Sequence, residues 1–412
     1  MPSKENDSSR RNFLKSMGAA GIGALIGTAA RLTDADAESG ESYKVSTRLF
    51  GKTGDKVSIL ALGGNGTSLS QLIMHQAVKW GVTFWDAWDS DRPFGGGISH
   101  KSIGKYFKKF PNDRKKIFLM TKAGDRKPKA LTKFLNKSLS VMNTDTIDFF
   151  VFHSVSSIGS LNSETRPWAD KARAAGKIRY FGVSSHHRME EVMEGAVELG
   201  WLDGVMVTYN YRVMHIESMK KAVEKCRKAG LAIVAMKTQG TSVSPIWLYG
   251  NKTAMNLTDS FIQKGFTPAQ ASLKAVWTNP HISSLTSMML NMNHFSANVA
   301  AALDKTKLSN TDMGLLKKYA RETRSLYCAG CTQICQSTLD KEVPIGDVMR
   351  YLMYARAYGD QDRARALFSS LPEQTRTDIV GLDYSRAEKR CPQRIAIGKI
   401  MCMATKELGC WG

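Results

Sequence analysis

The stretch Thr83-Phe-Trp-Asp-Ala-Trp-Asp-Ser-Asp-Arg-Pro-Phe-Gly-Gly-Gly-Ile-Ser-His100 decides how this chain is read. It opens with Thr83, Phe84 and Trp85, β-branched and aromatic residues that suit a short buried strand. Asp86 stands at the strand's end, a loop of turn formers follows, and a helix begins near Ser99. A carboxylate where a strand hands over to a loop lies where an α/β barrel keeps its chemistry. The pattern recurs twice. Lys116-Ile-Phe-Leu-Met-Thr121 runs into Lys122, and Thr146-Ile-Asp-Phe-Phe-Val-Phe152 runs into His153. Asp86, Lys122 and His153 thus end three successive predicted strands.

Outward from these strands, the alternation continues in both directions. Upstream, Thr47 to Ile59 carries Gly51 and Gly54 between short apolar pieces and reads as a hairpin. Val57 to Gly64 reads as a strand, and 68–80 as a helix with Leu69, Leu72, Ile73, Ala77 and Trp80 near helical spacing. Downstream, strands are expected at 178–183, 204–208, 231–236 and 281–286, each followed by a helix, with an insertion at 238–266. Eight strand–helix units with continuous apolar strands require a parallel sheet covered on both faces. Over roughly 250 residues they fit a closed (β/α)8, TIM-type barrel. A doubly wound sheet is the alternative, but Gly63-Gly-Asn-Gly66 is not the glycine fingerprint that fold would carry. From 309 the pattern turns mostly helical and cysteine-rich. The expected division is a leader at 1–37, a barrel at 44–308 and a helical module at 309–412.

The chain has 412 residues, of which 42% are hydrophobic, enough for a sizeable core. Its formal net charge is +21. The basic residues are scattered over predicted helices, which is the signature of a solvated face or of attraction to an acidic protein or anionic membrane surface. No nucleic-acid motif accompanies them, so nucleic acid is not an expected partner. No segment has the length and apolarity of an ordinary transmembrane helix. At the N-terminus, Ser9-Arg10-Arg11-Asn12-Phe13-Leu14-Lys15 precedes a Gly/Ala-rich run and Ala35-Asp36-Ala37. This resembles a twin-arginine signal, which implies export of a folded protein to the periplasm or an equivalent compartment.

Taken together, several motifs resemble the aldo/keto reductase superfamily over roughly 44–306. They are Arg48-Leu-Phe-Gly-Lys-Thr-Gly54, Phe84-Trp-Asp-Ala87, Phe118-Leu-Met-Thr-Lys122, Ile147-Asp-Phe-Phe-Val-Phe-His153 and Gly176-Lys-Ile-Arg-Tyr-Phe-Gly-Val-Ser184. The resemblance implies a small-molecule carbonyl substrate and NAD(P)H bound without a Rossmann fold. It also implies that Asp86, Lys122 and His153 fill three of four catalytic positions. The fourth, a tyrosine in the family, falls on Phe94, and no tyrosine occurs anywhere in 81–105. Asp91 is the nearest polar alternative by count, and His153 is another candidate acid. Ser184 and Ser185 match the family's carboxamide-binding pair. Met236-Lys237 resembles its seventh-strand exit, and Asn298 matches the last residue of its cofactor motif near the eighth strand.

Cys328-Ala-Gly-Cys331-Thr-Gln-Ile-Cys335 has the spacing C-x2-C-x3-C, and Cys391-Pro392 supplies a fourth thiol. Thiolates so spaced converge on one metal centre, and the proline after a distant cysteine resembles ferredoxin ligation. A [4Fe–4S] cluster on Cys328, Cys331, Cys335 and Cys391 is the first expectation; structural zinc and disulfides are alternatives. The tail also resembles cysteine modules of some aldo/keto reductase relatives. Three functional readings follow. One is an exported, nicotinamide-dependent carbonyl oxidoreductase with an accessory cluster. Another is a non-hydride iron–sulfur protein that passes electrons to a redox partner protein from a catalytically altered barrel. A structural or assembly role with a zinc-stabilised tail is a third.

Overall fold

The computed structural model describes residues 44–65, 69–88, 98–240, 267–289, 291–358 and 360–409. The expected leader, Asp91, Phe94 and residues 241–266 of the insertion lie outside the described residues.

The hairpin forms as expected: β1 (Thr47–Leu49) pairs antiparallel with β2 (Lys56–Ser58), Arg48 opposite Val57. The predicted strand 57–64 is in fact two pieces. Ser58 Oγ donates to Leu60 O and accepts from the amides of Thr83 and Phe84, which pins a turn at Ile59 inside an unbroken apolar run. Beyond it come β3 (Leu60–Asn65), β4 (Phe84–Trp88), β5 (Phe118–Ala123), β6 (Ile147–Phe152), β7 (Ile178–Ser185), β8 (Gly204–Thr208), β9 (Ala232–Met236) and β10 (Ser284–Met288). These eight parallel strands close a barrel in the order β10-β3-β4-β5-β6-β7-β8-β9. The expected fold class is therefore the observed one. β10 begins three residues later than 281, after Arg48 has taken the carbonyls of Trp277, Asn279 and Ile282.

Strand alternation sorts the interior into layers. Phe84, Phe118 and Phe149 meet the ring of Phe50, which plugs the end where the strands begin. Met120 and Val151 lie above, in the same interior core. Two residues further along each strand the chain must place Trp88, Lys122 and His153 at the opposite end. The interior leaves no room beside Phe149: a Cβ on Gly182 would lie 2.6 Å from its ring and 2.2 Å from Gly204 O. A second apolar layer, including Trp85, Phe107, Phe150 and Phe181, packs the strands against the helices.

The C-terminal region is helical. Helix Asn310–Glu322 opens with a Ser309–Asp312 capping box. Helices Thr332–Gln336, Ile345–Tyr358, Gln361–Ser369, Glu373–Gly381, Ser385–Arg390 and Ile397–Leu408 follow. The later ones share their own core around Val348, Leu352, Phe368 and Met401. This assembly sits on the C-terminal ends of β7, β8 and β9. Gly330, at φ +81°, approaches so closely that a Cβ would lie 2.2 Å from His186 O. Asn210 donates to Tyr327 OH at 3.0 Å, and His187 Nε2 lies 3.1 Å from Asp347.

Candidate active site

Asp86 on β4 and Lys122 on β5 form a buried ion pair, each residue 6% exposed. The second carboxylate oxygen of Asp86 accepts from Thr286 Oγ1 on β10 at 3.2 Å. Both oxygens are thus held, as a buried carboxylate requires. His153, one residue past β6, donates its backbone N–H to Ala123 O at 2.8 Å. Its ring lies 5.2 Å from that of Trp88 and 6.0 Å from that of His186. Burial, followed by the cations Lys122, Arg363, Arg350 and Arg126, holds the His153 imidazole well below its usual titration range. It is neutral at pH 7, able to donate from one ring nitrogen and accept at the other. The three residues expected on strand ends therefore share one rim, at the barrel's C-terminal mouth.

Four further groups stand at the mouth; Lys237 was marked in the sequence as a strand exit, whereas Arg350, Tyr354 and Arg363 were not. Lys237, just past β9 with φ +56°, holds Nζ 5.0 Å above the ring of Tyr354. Arg363 lies over Tyr354 at 4.2 Å and over Trp88 at 4.7 Å, sandwiched between the two rings. Arg350 donates to Asp347 at 3.2 Å. Tyr354 and Arg350 come from helix Ile345–Tyr358, and Arg363 from the next helix. Burial alone would raise the Tyr354 phenol, but Lys237, Arg363 and Arg350, with a hydrogen bond from Lys237, outweigh it and lower its pKa. A phenol thus occupies the mouth, although none lies in 81–105. Arg350 and Tyr354 stand four residues apart, one helical face, and that spacing was the available signal.

The residues matched to cofactor binding are all buried and engaged. Ser184 Oγ donates to Phe152 O and accepts from Ser154 N at 3.0 Å. Ser185 Oγ bonds the backbone of His187. Asn298 donates to Ser287 Oγ at 3.0 Å behind β10. β8 and β9 separate β7 from β10, so the two serines and Asn298 lie on separate parts of the barrel.

Cys328, Cys331, Cys335 and Cys391 line one cavity of about 20 Å3, with Ile345 and Ile397 among its apolar walls. Burial, then the neighbouring thiols Cys328, Cys391 and Cys335, push Cys331 up to about 12. Among the described residues no three His, Cys, Asp or Glu side chains are gathered tightly enough to grip a single ion. Cys328 also lines a second cavity, of about 40 Å3, with His186, Thr208, Lys237 and Arg350. The thiol group and the barrel mouth therefore share a wall. A larger cavity, about 530 Å3, lies at the opposite end, where Arg114 and Arg179 clamp Asp148 at 2.8 and 2.9 Å. In a parallel barrel that end serves stability.

A profile described as the aldo/keto reductase family matches residues 61–320. This chain belongs to that family. It is 22% identical over 297 residues to an L-galactose dehydrogenase of Arabidopsis thaliana, covering 64% of this chain and 90% of the plant protein. An aldo-keto reductase from Bacillus halodurans, solved in its holo form, superposes with a TM-score of 0.55 at 19% identity, covering 67% of this chain and 96% of its own. A thermostable aldo-keto reductase solved with the inhibitor epalrestat gives 0.52 at 24% identity, covering 66% and 99%. These structures support the barrel. The aldo/keto reductase match ends at residue 320, before the cysteines, and among the described residues no helix is long and apolar enough to cross a membrane.

Proposed function

We propose that this aldo/keto reductase interconverts a small carbonyl compound and its alcohol at the barrel mouth, with Asp86, Lys122 and His153 as its polar core. The carrying observation is the buried Asp86–Lys122 pair beside a neutral His153 on one rim. In this reading Lys122 and His153 face the substrate oxygen, and Asp86, steadied by Thr286, holds the Lys122 ammonium in place. Tyr354 is the proton donor, replacing the tyrosine that would stand at Phe94; the cations Lys237, Arg363 and Arg350 outweigh burial and make it a stronger acid than a free phenol. NAD(P)H, when bound, supplies the hydride; Ser184, Ser185 and Asn298 mark the track it would follow.

The same proposal assigns a [4Fe–4S] cluster to Cys328, Cys331, Cys335 and Cys391. In support, the four thiols line one cavity whose walls include Ile345, Ile395 and Ile397. Such a cluster supplies single electrons. The paired Arg10 and Arg11 would carry the folded, loaded protein to the periplasm. The second reading, iron–sulfur electron transfer without a nicotinamide, is favoured by one observation: the helical region sits over the ends of β7 to β9, where the hydroxyls of Ser184 and Ser185 are already engaged.

Anaerobic purification, visible and electron paramagnetic resonance spectra, and fluorescence titration with NADH and NADPH separate the readings. Cluster signals together with binding of either nucleotide support the first. Cluster signals without nucleotide binding select the second. A colourless, zinc-containing protein rejects both cluster assignments. Replacing Arg10 and Arg11 with lysine is expected to trap the protein in the cytoplasm, which fractionation checks.

A further inference from the structure

Arg363 is the unexplained group at the mouth. Its side chain is 15% exposed, and its guanidinium is clamped between the rings of Trp88 and Tyr354. Clamping by faces leaves the donors along the edge of the plane. Among the described residues, Nε and Nη1 are buried and have no hydrogen-bond partner. The nearest carboxylate, Asp360, is 3.8 Å from Nη1, beyond hydrogen-bond reach. Of the other cations at the mouth, Lys122 pairs with Asp86, Arg350 pairs with Asp347, and Lys237 bonds the Tyr354 phenol. A buried guanidinium with idle donors calls for a planar anionic acceptor, which Nε or Nη1 would share with the adjacent Nη2. His186 adds a second idle polar atom, Nδ1, on a residue only 7% exposed. The position fits a substrate. Trp88 lies two residues beyond Asp86 on the same strand face and contacts His153, and Arg363 is close enough to His153 to depress its pKa.

We propose that Arg363 anchors the carboxylate of the substrate, so that the protein acts on short oxo acids and their hydroxy-acid partners and not on neutral aldehydes. This rests on the carbonyl reading above and names its substrate class. The carboxylate takes the Arg363 donors while the oxo oxygen faces Lys122 and His153. The helical region thereby contributes the specificity determinant, and the barrel supplies the reacting rim.

Calorimetry of the intact protein with pyruvate and with 4-oxopentanoate, each against its methyl ester, tests this without requiring turnover. An acid preference of about tenfold or more is expected, as a charge-assisted bidentate contact provides. Arg363→Met should abolish the preference. Arg363→Lys should keep the charge and the fold, checked by near-ultraviolet circular dichroism, and restore only part of it. Equal binding of acid and ester, or an acid preference that survives in Arg363→Met, overturns the inference. So does tighter binding of inorganic phosphate than of either acid, which would assign the fork to a phosphate. Turnover of neutral aldehydes with no acid preference refutes this inference alone. Acid binding without any turnover refutes the carbonyl reading and leaves the anchor standing.

Discussion

At the scale of single residues, the Asp86–Lys122 pair is the most demanding feature. Removing one partner of a buried pair strands the other charge, at a cost of about 3–5 kcal/mol. Lys122→Met is therefore expected to destabilise the fold by that order as well as abolish turnover. Asp86→Asn in the same chain should recover much of the stability and none of the activity, as urea denaturation and a reductase assay would show. His153 gives a pH signature. Its folded pKa lies below that of the unfolded chain, so its contribution is fully present above about pH 6.5. As pH falls below that value the unfolded chain takes up the proton first, and stability declines by up to about 1.4 kcal/mol per pH unit. Urea midpoints between pH 7.5 and 5.5 should fall less steeply in His153→Gln. Tyr354→Phe is expected to lower kcat by about 10²-fold or more with little change in KM, in the range of a lost general acid; unchanged kcat would remove Tyr354 from the mechanism.

At the scale of elements, two close approaches separate the barrel from its cover. Gly182 is enclosed inside the barrel by Phe149, whereas Gly330 meets His186 O only because the helical region docks there. Gly330→Ala forces both a left-handed alanine and a backbone clash, each of order 1–3 kcal/mol. It should loosen the docked helices and expose them to proteolysis while the far-ultraviolet spectrum of the barrel persists. Gly182→Ala should instead lower the stability of the whole fold. The hairpin turns at Gly51 and Gly54 were legible because glycine at positive φ is the ordinary solution there. The break at Ile59 was not, because the hydrogen bonds of Ser58 that create it reach to Thr83 and Phe84, far along the chain.

At the scale of the molecule, the thiol cavity and the active-site mouth are neighbours through Cys328. On the proposed cluster assignment, Cys331→Ala or Cys391→Ala should lower iron content and visible absorption. Cys226→Ala should not, since that thiol is buried on the helix Glu217–Lys228, bonded to Met193 O and pushed up to about 12 by burial. A Cys226 variant that lost iron would overturn the four-cysteine assignment.

The barrel and its three rim residues were determined by the sequence itself. Continuous apolar runs that stop at a polar residue mark the strand ends, and Asp86, Lys122 and His153 stand at three of them without any tertiary information. The tertiary structure alone decided what covers that rim. Arg350, Tyr354 and Arg363 lie on helices whose periodicity describes only their own core, and nothing local encodes where that core will dock. Their arrival over Trp88, Lys237 and His153 depends on contacts between segments more than a hundred residues apart, which only the folded chain specifies.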